Sequence, residues 1–115
     1  MSYKITYAQY KLGSYAAAYN TAMAIGGRYK GDALVIASDC VAKRANDCGA
    51  STFERKCNYL YASRLAGQAQ ANGASIGNRV ANYKNSAPTS QECFDEGNPG
   101  SVTLTCYGVS VKPCN

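Results

Sequence analysis

The chain has 115 residues and a net charge of +5, with no histidine, no tryptophan, six cysteines and ten tyrosines. That length predicts one domain with a modest core. The longest purely apolar run, Ala33–Ala37, is far short of a membrane span, and with no histidine there is no Ser-His or Cys-His pair and no histidine base, so we expect no enzyme and no membrane insertion.

In chain order, MSYKITYAQYKLGSY has no apolar stretch of the kind an export signal needs, so none is expected. Tyr3, Tyr7 and Tyr10, then Tyr15 and Tyr19, fall at helical spacing, although YKITY alone also suits a strand. The Ala-rich segment SYAAAYNTAMAI reads as helix, with Ser14 as its N-cap and Gly26-Gly27 as its stop. Asp32 caps a second predicted helix, which Gly49 ends. STFE at 51–54 matches the capping-box pattern and predicts a long helix from Thr52 to about Tyr83. Gly67, Gly73 and Gly77 weaken that helix or let a second helix or a flat ligand approach it. NSAPTSQ (85–91) reads as a linker, FDEGNPGS as a turn and SVTLTCYGVSV as strand. The predicted fold class is mainly α: a body of two to four helices over 1–87, then an irregular or β-hairpin tail over 88–115 that carries Cys93, Cys106 and Cys114. The two parts are expected to form a single domain.

Apolar residues make up 46% of the chain, but Ala, Tyr and Cys supply much of that, and there are two Phe and two Met. So sparse a core predicts help from disulfides, a ligand or a surrounding protein. Charge is uneven. Residues 1–91 hold eleven Lys/Arg against Asp32, Asp39, Asp47 and Glu54, a net of +7, while residues 92–115 hold Lys112 against three acids, a net of −2. A basic body attracts acidic surfaces. The Lys/Arg residues are scattered and no nucleic-acid signature is present, so we expect an acidic protein rather than nucleic acid.

The cysteines lie 8, 9, 36, 13 and 8 positions apart. No close pair offers a structural zinc site, no C-x-x-C-H offers haem attachment, and iron–sulfur spacing is absent. Six cysteines in a short chain form the usual set for three bridges. Cys40 and Cys48 cannot bridge within one straight helix, because eight residues rise about 12 Å and a disulfide needs Cα atoms within about 7 Å. The same stretch also offers what a thioether-linked tetrapyrrole requires. Asp39-Cys40 stands beside Lys43 and Arg44, Asp47 adjoins Cys48, and Arg55-Lys56 precedes Cys57. Arginine pairs with propionates, and nearby cations favour a thiolate.

DCVAKRAND (39–47) resembles the bilin-attachment segments of phycobiliproteins. The basic, Ala/Gly/Tyr-rich body over about residues 35–85 resembles the chromophore-bearing linkers of red-algal phycobilisomes, the phycoerythrin γ subunits. This resemblance implies bilins of phycoerythrobilin or phycourobilin type on some of Cys40, Cys48, Cys57 and Cys93, with Asp39, Arg44, Asp47 and Arg55 as ligand contacts. It also implies a place inside acidic phycobiliprotein hexamers in the chloroplast. The other reading is a small extracellular module, all six cysteines bridged, that binds a partner or builds a structure.

Overall fold

A computed structural model describes residues 2–114. Helix α1 (Tyr3–Lys11) starts where the Ser2 hydroxyl accepts from the Ile5 N–H. Helix α2 (Tyr15–Met23) begins after Ser14 as expected, but that hydroxyl makes no cap hydrogen bond. A single 3₁₀ turn, Gly27–Tyr29, leads into α3 (Lys30–Lys43). Asp32 therefore sits in the first turn of α3 rather than at its cap, where it still complements the helix dipole.

Helix α3 does not run on to Gly49. It stops at Lys43, and a 3₁₀ turn over Ala45–Asp47 carries Cys48 off the helix. The cause lies across the fold. Fully buried Asn58 donates its amide to the Cys48 carbonyl at 2.7 Å and to Arg55 O at 3.0 Å, which holds the loop in place. Helix α4 (Thr52–Ala71) opens on half of the expected capping box. Ser51 Oγ accepts from the Glu54 N–H, but the Glu54 carboxylate accepts from the Ala50 N–H rather than from Ser51.

The long helix expected to reach Tyr83 is in fact two. Gly73 (φ +89°) and Gly77 (φ +58°) both take left-handed backbone, and α5 (Arg79–Ser86) starts afresh beyond them. The segment read as a linker is the end of α5 and the start of α6 (Ser90–Asp95), which is set by a full capping box between Thr89 and Glu92. Strands β1 (Val102–Leu104) and β2 (Val109–Val111) form an antiparallel hairpin with Val102 opposite Val111 and Leu104 opposite Val109. The fold is thus mainly α with a cysteine-bearing hairpin tail, as the sequence indicated. Among the described residues the body over 1–87 holds five α-helices against the two to four expected, and the short α6 opens the tail.

Helices α3 and α4 are the central antiparallel pair. Ser38 Oγ donates to Ala62 O at 2.7 Å, and an added Cβ at Gly31 would meet Asn72 O at 2.8 Å. Buried Ala33, Ala37, Ala62, Ala66 and Ala69 let the two backbones approach. Gly31, rather than Gly67, is where close approach demands glycine; a Cβ on Gly67 would meet open space. Helix α2 packs on α3, α1 on α2, and α5 and the hairpin on α4. Leu34, Val41, Phe53, Tyr61, Leu65, Leu104 and Val111 fill the core.

Two disulfides join Cys48 to Cys106 and Cys93 to Cys114, and Cys40 and Cys57 are free and fully buried. The expectation that all six are bridged is therefore corrected. Cys57 lies in the main core, whereas Cys40 lies with Ala18 and Ile36 in a separate small cluster beneath Tyr10, Tyr15 and Tyr19.

Candidate functional site

Three helices each present a pair of polar or aromatic side chains four residues apart on one side of the molecule. Helix α3 contributes Asp39 and Lys43, α4 contributes Arg55 and Tyr59, and α5 contributes Arg79 and Tyr83. At this spacing both members of each pair share a helix face.

Both oxygens of Asp39 accept from the Arg79 guanidinium, Nε to Oδ1 at 2.9 Å and Nη2 to Oδ2 at 3.1 Å, and Tyr83 also donates its hydroxyl to Oδ1. Arg79 uses Nη1 on Ile76 O at 2.9 Å. The bond to Asp39 pushes the Arg79 pKa up. Burial first, and then the bond to Asp39, raise the Tyr83 phenol well above its ordinary value. Asp39 is therefore an anchor that holds α5 against α3.

Around this anchor lies a cleft of about 490 Å³ lined by Tyr10, Ala42, Lys43, Tyr59, Arg79 and Tyr83. Burial raises the Tyr10 phenol, so it too presents a neutral donor. On the far side of Tyr59 a second cleft of about 400 Å³ is lined by Asn46, Thr52, Arg55, Lys56 and Ser86. Tyr59 lines both clefts, so they adjoin at this residue as the two halves of a Tyr59 groove.

The groove carries four cations. Arg79 is matched by Asp39, and Lys56 by Glu92 at 2.6 Å, these being the two ion pairs among the described residues. The Lys56 bond, with help from Thr89, holds the Glu92 carboxyl below the usual carboxylate range. Arg55 points its Nε at Gly49 O at 3.1 Å. Lys43 and Arg55 bring charge to the groove that no carboxylate neutralises among the described residues. Chemically the groove offers cations for anionic groups and tyrosine faces for planar or apolar ones.

The residues expected from the sequence are dispersed. Asp39 and Arg55 stand in the two halves of the groove. Arg44 lies elsewhere, its guanidinium 5.8 Å from the Tyr107 ring centre and 4.0 Å from Cys106 Sγ. Asp47 lines a shallow cleft with Arg44 and the turn between α1 and α2. The sulfurs of Cys48 and Cys93 are already bonded. Burial, and then the Asp39 charge, push the Cys40 thiol up to about 12 against a smaller opposing effect of Arg44. Burial, with Glu54 and Glu96, pushes Cys57 up to about 11. The expected effect of a neighbouring cation is thus present at Cys40 but outweighed by burial, and at Cys57 burial and two carboxylates prevail. Arg79 and Tyr83 were missed. Their i, i+4 spacing is visible in the sequence, but the face they occupy depends on the helix break at 72–78.

Among the described residues, no cluster of three or more Cys, Asp or Glu side chains suits a metal ion. No helix among them is long and apolar enough to cross a membrane. Comparison with known protein families, curated proteins and solved structures finds no match for this chain.

Proposed function

We propose that the chain is a non-enzymatic binding module, stapled for an oxidising, extracellular setting, that docks an acidic protein along the groove divided by Tyr59. The observation that carries this reading is the groove's composition. Lys43 and Arg55 face it without a carboxylate partner, and Tyr10, Tyr59 and Tyr83 supply rigid aromatic contact area. The two disulfides support the oxidising setting. Pigment attachment is the weaker reading. It would require Cys48 or Cys93 to leave a disulfide, or Cys40 or Cys57 to leave the core as a thiolate.

The test is a titration of isotope-labelled protein with polyglutamate, followed by NMR, with a neutral polypeptide as control. Binding is expected to shift the amides around Lys43, Arg55 and Tyr59 and to weaken as salt rises from ~50 to ~500 mM. Lys43→Glu is expected to weaken it several-fold, whereas Lys4→Glu, outside the lining of both clefts, leaves it unchanged. Shifts centred elsewhere, or equal binding of the neutral polypeptide, would overturn the reading.

A further inference from the structure

Among the described residues, five of the six exposed large apolar side chains lie in the first 29 positions: Ile5, Tyr7, Leu12, Met23 and Tyr29. The sixth is Phe94, which is 69% exposed. These two regions also differ in charge. Residues 1–31 hold Lys4, Lys11, Arg28 and Lys30 and no acid. Phe94 is followed directly by the exposed acids Asp95 and Glu96.

The basic end contains a groove of about 480 Å³, lined by Tyr3, Lys4, Ala24, Ile25, Gly26 and Tyr29. Its walls are aromatic and aliphatic. The Tyr3 and Tyr29 rings stack at 5.6 Å, and the Arg28 guanidinium lies 4.9 Å from the Tyr29 ring centre. Lys4 and Arg28 set positive charge beside this apolar slot, against the single carboxylate of Asp32, which adds to burial in raising the Tyr3 phenol. At the acidic end, Glu92 is already paired with Lys56 and Asp95 accepts from Gln91 at 2.9 Å, while Phe94 points outward beyond both. An apolar ring flanked by carboxylates is the complement of an apolar slot flanked by cations.

The two features cannot meet within one molecule. Gly31 packs on Asn72, which sets the slot at the C-terminal end of α4. The Lys56–Glu92 pair sets α6 near the N-terminal end of α4. Along α4 those points are separated by about 24 Å at 1.5 Å per residue, in a molecule 43 Å long. A contact between two such unlike surfaces is heterologous, and it runs from copy to copy as an open chain or closes into a ring.

We infer that the protein associates head to tail, with Phe94 of one copy seated against Tyr3, Ile25 and Tyr29 of the next and Asp95 and Glu96 facing Lys4 and Arg28. The contact is small, so association is weak and builds with concentration. It uses none of the residues of the Tyr59 groove, so it stands or falls separately from the proposed docking function.

Sedimentation of the oxidised full chain up to about 1 mM tests it. The average mass is expected to rise beyond that of a dimer at ~50 mM salt and to fall back toward the monomer at ~500 mM. Phe94→Ser is expected to weaken association at least tenfold with no change in thermal melting. The double variants Asp95→Lys/Glu96→Lys and Lys4→Glu/Arg28→Glu should each stay monomeric alone and associate when mixed, because their charges are then complementary again. A chain that stays monomeric throughout would overturn the inference. So would association that survives Phe94→Ser, or that is lost on Leu12→Ser instead, which would assign the contact to the outer face of α1.

Discussion

The two ends of the chain are fastened by different means. The N-terminal pair, α1 and α2, lies on the body without a covalent link, by packing and the 2.6 Å hydrogen bond between the Tyr19 and Tyr61 hydroxyls; α1 buries only Thr6, and Leu12 just beyond it is 82% exposed. The C-terminal tail has elements too short to hold themselves, a six-residue helix and two strands of three residues. A hairpin of that size is marginal in water on its own. It is held by Cys48–Cys106 and Cys93–Cys114, by Leu104 and Val111 set into the core, and by the Arg64 guanidinium donating to Ser110 O at 3.1 Å. A chain poor in large aliphatic residues thus uses alanine-to-alanine contact where its helices are long and covalent cross-links where its elements are short.

The largest expected effect removes that difference. Replacing Cys48 and Cys106 by serine opens a loop of 58 residues and is expected to cost about 4 kcal/mol on loop entropy. Opening Cys93–Cys114, with a separation of 21, is expected to cost about 3 kcal/mol. Hydrogen exchange should then show 102–111 losing protection while α3 and α4 keep theirs. Loss of protection everywhere at once would mean that the tail is integral to the body rather than stapled to it.

The next effect touches the N-terminal end. Cys40 lies beneath α1 and α2, and burial raises its thiol and that of Cys57 to about 12 and 11 from an ordinary 9.0. A raised folded-state pKa means that the unfolded chain loses its protons first. The stabilisation is therefore complete below pH about 9 and falls as pH rises toward 11–12, by at most about 1.4 kcal/mol per pH unit for each thiol. Urea midpoints measured across that range should fall, and Cys40→Ala should flatten the decline. The smallest effect probes the body on which both ends rest. Gly31→Ala drives a Cβ onto Asn72 O and is expected to cost about 1–3 kcal/mol. Gly67→Ala enters open space in mid-helix and is expected to stabilise by about 0.5–1 kcal/mol. Thermal melting of the two variants should move in opposite directions.

Much of the fold could be read locally. The Ala-rich run, Ser51 as a cap and the alternation around Val102–Val111 each carry their own signal, because caps and hydrophobic period are short-range properties. The helix break at 72–78 was less legible, since glycines at 67, 73 and 77 look alike in sequence. Only Gly73 and Gly77 take left-handed backbone, while Gly67 stays helical. The capping box at Thr89 could have been found by its T-x-x-E pattern, but the prolines and serines around it suggested a linker. For the site, residues 38–57 presented cysteines and charges in an order that suited a ligand, yet the fold separates them. Asn58 pulls Cys48 off α3 toward the hairpin, and Cys40 and Cys57 turn inward. Arg79 and Tyr83 reach Asp39 from forty or more positions away, a contact that no local pattern encodes.

The most direct test of the central claim, a stapled module with two inert buried thiols, is thiol counting by intact mass together with a visible absorption spectrum. The native protein should take up no iodoacetamide and show no visible absorption. In denaturant without reductant it should take up two adducts, at Cys40 and Cys57, and after reduction six in all. A mass excess that survives reduction, with visible colour, would contradict the account in favour of a bound pigment. No adducts in denaturant before reduction would contradict it in favour of three bridges.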